Sequence, residues 1–203
     1  MALNITRARR HFAGTDPVMA ALIQRIGPCR LDTRIAPDGF HALLRAIVAQ
    51  QVSAKAAKTV FERVCALFPD GQPRAEQLAA CSDQALHATG LGPAKTRYVR
   101  DLAERVGDGR LDLAALDGRP DEDVVDELVT VRGIGTWTAE VFLIFQLQRM
   151  DVFPAGDLAL LTAIQRLYKT RTRPTPAQAR RRAERWRPYR SIASWYLWRS
   201  LSP

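Results

Sequence analysis

Cysteine is scarce in this chain of 203 residues: Cys29, Cys65 and Cys81 lie far apart, form no C-x-x-C pair and have no successor beyond position 81. That pattern excludes a cysteine-ligated zinc or iron–sulfur centre and fits reduced, mostly buried thiols in a cytosolic protein. No apolar run approaches the roughly 18 residues of a membrane span. Arg7, Arg9 and Arg10 near the start are not followed by an apolar signal core, so export is not expected. Acidic residues are also short. Thirty Lys and Arg stand against 21 Asp and Glu, a net charge of +9, which draws the chain toward polyanions. The imbalance is sharpest from Lys169 to Arg199, where one Lys and nine Arg meet the single acid Glu184. Arginine favours bidentate phosphate contacts, although a solvated helix face has the same composition.

What is present is helical periodicity. Asp16 to Ile26 reads as a short first helix. Phe40, Leu43, Leu44, Ile47, Val48, Gln51 and Val52 recur at three and four residues, one buried helical face. Ser53 caps a helix through Ala57, Val60, Phe61, Val64 and Phe68 that Pro69 stops. Ser82 and Pro93 mark two further starts, and Asp121, Glu122 and Asp123 suit the first turn of another, where carboxylates complement the helix dipole. Thr175-Pro176-Ala177-Gln178 has the form of a capping box, opening a helix that runs to Trp186 and is halted by Pro188. No alternating strand is found. The class is all-α, with about ten short helices.

The sharpest local motif runs from Leu128 through Val131-Arg132-Gly133-Ile134-Gly135-Thr136-Trp137-Thr138 to Glu140. One helix ends, a Gly-x-Gly turn follows, and an apolar helix begins with Val141, Phe142, Ile144 and Phe145. The glycines permit positive φ, and the bare amides at the next helix start suit a phosphate oxygen, with Ile134 tucked inward to lock the helices. Gly-x-Gly alone also fits an ordinary helix connector. Gly90-Leu91-Gly92-Pro93-Ala94-Lys95 is a second, weaker turn of that kind. Downstream, Asp151-Val152-Phe153-Pro154-Ala155-Gly156-Asp157 ends at the start of a helix through Leu160, Leu161, Ile164 and Leu167, so Asp157 reads first as an N-cap.

Taken together, the hairpin run, the Asp-Val-Phe segment and the final Trp186-Arg187-Pro188-Tyr189-Arg190 through Trp195-Tyr196-Leu197-Trp198 resemble the helix-hairpin-helix DNA glycosylase superfamily. The similarity is to its 3-methyladenine DNA glycosylase II branch, in a short bacterial form without the N-terminal β domain. It spans roughly 38–201 and leaves the first 35 residues poorly matched. The resemblance implies two helical subdomains flanking a DNA-binding cleft, a central one at 36–149 with the wedge segment and the helix-hairpin-helix motif, and a second from 1–35 plus 150–203. It implies a monofunctional hydrolase of base excision repair that cuts the N-glycosidic bond of alkylated purines such as 3-methyladenine.

The same resemblance assigns roles. Asp157 stabilises the developing oxocarbenium ion; Trp137 and Trp198 wall the base pocket. Arg132, Gly133, Ile134, Gly135, Thr136 and Thr138 form the DNA contact, and Gln51, in Ala49-Gln50-Gln51-Val52-Ser53, fills the gap left by the flipped nucleotide. Bifunctional members carry a Schiff-base lysine two residues after the second hairpin glycine, where this chain has Trp137. Val141 and Leu158 stand where the branch has tyrosines, which leaves the lesion range open. No cofactor is implied, beyond a structural Na⁺ or K⁺ at the hairpin carbonyls. The implied partner is double-stranded DNA with damaged bases, bound by a cytoplasmic, nucleoid-associated monomer without membrane contact. A non-catalytic helix-hairpin-helix DNA-binding protein and a glycosylase for oxidised or deaminated bases are the alternatives.

Overall fold

The structure is a computed structural model and describes residues 5–31 and 34–201. Its helices are α1 (Ile5–Thr15), α2 (Pro17–Ile26), α3 (Gly39–Ala49), α4 (Ala54–Cys65), α5 (Ala75–Ala79), α6 (Asp83–Ala88), α7 (Pro93–Gly107), α8 (Asp121–Leu128), α9 (Thr136–Phe145), α10 (Leu158–Leu167), α11 (Pro176–Ala183) and α12 (Arg190–Arg199). Single 3₁₀ turns lie at Ala115–Gly118 and Glu184–Trp186, and no strand occurs among the described residues. The caps read from the sequence are in place. Ser53 Oγ accepts from the Ala56 amide, Ser82 Oγ from Ala85, and Thr175 and Gln178 close a reciprocal capping box.

Four expectations are corrected. The buried face that begins at Phe40 ends with α3 at Ala49, so Gln51 and Val52 lie beyond the helix and are exposed. The helix at 17–26 is preceded by α1, which buries Ala8 and Phe12, one turn apart. Its Arg7, Arg9 and Arg10 hide that two-residue stripe from a periodicity reading. The helix from Pro176 stops at Ala183 and tightens into the 3₁₀ turn before Pro188. Of the cysteines, all free thiols, only Cys29 is buried, while Cys65 and Cys81 are partly exposed.

The chain forms two compact units, Ile35–Phe142 and Met1–Arg34 with Leu143–Pro203. The boundary falls within α9. The central unit is built on α3, whose Phe40, Leu43, Leu44, Ile47 and Val48 are all buried, packed against α4 and α7. Val99, Leu102, Val124 and Leu128 complete that core.

In the other unit α10 and α12 pack on one another, and α2 lies against α12. Phe12, Met19, Trp186 and Tyr196 are among its largest fully buried side chains, and Asp16 is a carboxylate buried in the same unit. Asp16 caps α2 by accepting from the Val18 and Met19 amides at 3.1 Å. It also accepts from the Tyr168 hydroxyl at 2.6 Å and from Trp186 Nε1 at 2.9 Å. Burial, with the Asp16 bond second, pushes the Tyr168 phenol well above its ordinary value, so it stays a donor. One acid therefore ties α2 to the end of α10 and to the turn before α12, which fixes the axis of α10 within its unit.

Candidate nucleic-acid interface and active site

The hairpin joins α8 to α9 in the central unit. Gly133 adopts φ +81°, and a Cβ built there would lie 2.3 Å from Cδ2 of Tyr98, so the ring of α7 packs directly on the glycine backbone. Gly135 has open space around it and no positive φ, so only the first glycine of the pair is required by the turn itself. Ile134 is buried, as expected of the residue that locks the hairpin. Its amide is spent on Val131 O, so its contribution is packing. The Arg132 amide donates to Asp101 Oδ2 at 2.8 Å, and Arg105 holds the same carboxylate at 3.0 Å. Arg132, Gly133, Gly135 and Thr136 are exposed. Thr138 is buried, so what it offers to solvent is at most its first-turn amide, not its hydroxyl.

The Gln-rich segment lies in the same unit and is fastened to the hairpin. Gln50 Nε2 donates to Gly133 O at 2.7 Å. Lys95 Nζ donates to Val48 O at 2.6 Å, satisfying a carbonyl of the last turn of α3, and burial lowers that lysine from its usual range. Directly after these anchors Gln51 is exposed with φ +55°, a conformation that costs a non-glycine residue of the order of 1 kcal/mol and persists only where neighbours impose it. Sequence reasoning singled out Gln51. It missed Gln50, Tyr98 and Asp101, each brought in from a distant part of the chain.

Trp137, on the first turn of α9, is 48 % exposed, far too open for a core tryptophan. Trp198 is half-buried and stacks on Phe145, ring centroids 5.6 Å apart and planes at 30°. Trp186 is fully buried and Trp195 half-buried, and both belong to packing.

Asp157 is 7 % exposed, its Oδ1 accepting from the Leu160 amide at 2.8 Å. It therefore is the N-cap of α10. The segment leading to it is strapped to the start of α12. Ser191 Oγ donates to Arg149 O at 2.6 Å and accepts from the Val152 amide at 3.0 Å, while the Ser191 amide donates to Met150 O. Asp151 receives Arg190 Nε at 2.7 Å and Arg187 Nη1 at 2.8 Å. Val152, Phe153, Pro154 and Ala155 are all buried, and the Asp157 amide closes a turn onto Pro154 O. An acid at the end of such a strap is held without freedom to search, the requirement for a charge that must meet one atom of a substrate. Next to it Leu158 is 62 % exposed, so α10 begins at the protein surface.

Among the described residues no group of three or more His, Cys, Asp or Glu could hold a metal ion. The hairpin carbonyls are a separate matter. Val131 O accepts from the Ile134 amide and Gly133 O from Gln50 Nε2.

A family model described as HhH-GPD superfamily base excision DNA repair protein matches residues 44–188. The chain belongs to that superfamily. DNA-3-methyladenine glycosylase 1 of Schizosaccharomyces pombe is 30% identical over 200 residues, covering 97% of this chain and 88% of that protein. A solved S. pombe 3-methyladenine DNA glycosylase in complex with abasic DNA superposes with TM-score 0.86 at 28% identity, covering 96% of each chain. DNA-3-methyladenine glycosidase from Bacillus halodurans gives TM-score 0.85 at 32% identity over 98% of this chain and 91% of that one. These alignments extend over the N-terminal helices, whereas the family model begins only at residue 44.

Proposed function

We propose that this protein is a monofunctional DNA glycosylase that hydrolyses the N-glycosidic bond of alkylated purines, 3-methyladenine foremost, in double-stranded DNA. The observation that carries the reading is the strapped, capped Asp157 in a chain whose relatives are named for 3-methyladenine. An alkylated purine already carries positive charge, so the C1′–N bond breaks with its electron pair leaving on the base, and positive charge grows on the sugar. A carboxylate about 4 Å away at an effective dielectric near 20 stabilises that charge by about 4 kcal/mol, roughly a thousandfold in rate. Water then adds at C1′ and its proton passes to solvent, leaving the neutral free base and an abasic sugar. Trp137, in the position of the lyase lysine, supplies no amine for an imine, so the product is an intact abasic strand. Trp137 and Trp198 offer aromatic faces to a cationic base.

The hairpin amides and Arg132 bind the backbone, and Gln51 enters the stack where the base has left. A sodium or potassium ion at the hairpin carbonyls would add a charge to that grip. The reading includes a monomer acting on the nucleoid in the cytoplasm.

Because Gln50 ties the wedge turn to Gly133, its loss should uncouple the two. Gln50→Ala is expected to bind undamaged duplex as the wild type does, yet to lose about 1 kcal/mol, roughly fivefold, in the flipped population. Fluorescence of 2-aminopurine beside the lesion measures that population, and an unchanged signal would detach Gln50 from flipping.

Substrate class is tested by base release from duplexes carrying 3-methyladenine, 7-methylguanine, 1-methyladenine, hypoxanthine or 8-oxoguanine. Release of the alkylated purines at least tenfold faster than of hypoxanthine or 8-oxoguanine is the expected result. Preference for either of the last two would move the protein to the deaminated- or oxidised-base class.

A further inference from the structure

The helix α11 has an unusual surface. Only Ala179 and Ala183, one turn apart, are buried, while Arg180, Arg181 and Arg182 follow one another along it. The loop that enters it from α10 carries Lys169, Arg171 and Arg173, all exposed, and Arg185 continues the run beyond. Arg182 is accounted for, its guanidinium lying 4.1 Å from the Tyr168 ring centre. The one acid of the stretch, Glu184, is taken by Arg187 and Arg190. Among the described residues no carboxylate pairs with Lys169, Arg171, Arg173, Arg180, Arg181 or Arg185.

A solvated helix face that serves only solubility intersperses both signs, and like charges four apart, as at Arg181 and Arg185, cost stability. Cations beyond the C-terminus of α10 do complement its dipole, but that effect fades within one turn and needs one or two charges, not six. Five of the six are arginine, the residue that takes phosphate oxygens in pairs. Asp157 and Lys169, where this surface begins, stand at opposite ends of α10, about 15 Å apart for ten residues at 1.5 Å each.

We propose that the Lys169–Arg185 surface is a second DNA-backbone contact that takes phosphates of the same duplex away from the reacting nucleotide. At roughly 3.4 Å per base pair, a duplex running beside α10 reaches it four to five pairs from Asp157. The contact is independent of sequence and of the lesion: it lengthens the footprint and sets how long the protein stays on undamaged DNA between encounters. It rests on the DNA-binding part of the proposed function and not on the choice of alkylated purines.

The test is the four-fold variant K169Q/R173Q/R180Q/R181Q of the full chain, none of whose positions touches the strap, the hairpin or the pocket tryptophans. Binding is measured against salt on undamaged duplexes of about 30 and about 8 base pairs, with a melting curve as the folding control. On the long duplex the variant should bind at least tenfold more weakly, with a salt slope shallower by about 0.9 for each phosphate that is no longer neutralised. On the short one, which spans fewer phosphates at once, the loss should be clearly smaller, and the variant's melting temperature should be equal to or higher than the wild type's. An unchanged slope on the long duplex overturns the proposal and points to an acidic partner. So does an equal loss at both lengths, and so does a wild type that binds two duplexes where the variant binds one. A protein that releases no base but shows the length-dependent weakening keeps this surface and forfeits the glycosylase reading, so the two failures are separable.

Discussion

Asp157→Asn is expected to leave the fold and the affinity for DNA nearly unchanged and to slow base release about a thousandfold. The substitution separates two roles that share one side chain. Asparagine caps a helix about as well as aspartate, so Oδ1 can go on accepting from the Leu160 amide and α10 keeps its start. What is lost is the negative charge. Asp157→Ala removes charge and cap together and should cost about 1 kcal/mol of stability in addition. Melting curves and single-turnover release on the three proteins give both quantities. If Asn turns over at near the wild-type rate while Ala alone is unstable, Asp157 is a cap and nothing more.

The second large effect is predicted at the hairpin, and it is asymmetric between the two glycines. Gly133→Ala must take φ +81° and a methyl group 2.3 Å from the Tyr98 ring, so the turn cannot keep its shape. A left-handed alanine costs of the order of 1 kcal/mol and overpacking a further 1–3, a loss of about 3 kcal/mol in all. Shrinking the ring, in Gly133→Ala with Tyr98→Ala, should return the steric part and leave the backbone part. Gly135→Ala meets nothing within 4 Å and should leave stability within about 0.5 kcal/mol. It places a methyl where a phosphate must approach the amides, so its effect should appear in DNA affinity alone. Equal destabilisation by both alanines would contradict this division of labour.

The features legible in the sequence are those with local causes. Ser53, Ser82, Thr175 and Asp157 cap their helices because a short polar side chain bonds an amide two or three residues on, and such bonds are written in the chain order. The buried stripe of α3 and the tucked Ile134 follow from periodicity in the same way. Contacts between distant residues leave no such mark. Tyr98 against Gly133, Asp101 under Arg132, Gln50 on the hairpin carbonyl and Ser191 on the strap each join segments more than 30 residues apart. The cap at Asp157 was evident from position, whereas its rigidity comes from Arg187, Arg190 and Ser191, which the sequence presents only as part of a basic, aromatic tail. Thr138 illustrates the converse. It sits inside the motif yet faces inward, because the third position of α9 falls on the buried side.

The central claim, hydrolysis without strand cleavage at a cationic purine, reduces to one measurement. A labelled duplex with a single 3-methyladenine is incubated with the protein, and free base, strand length and borohydride-trapped protein are read from the same sample. The account predicts free 3-methyladenine, a full-length strand that breaks only on alkaline heating, and no trapped adduct. Strand cleavage with a trapped covalent complex, or an intact duplex with its 3-methyladenine still attached, would contradict it.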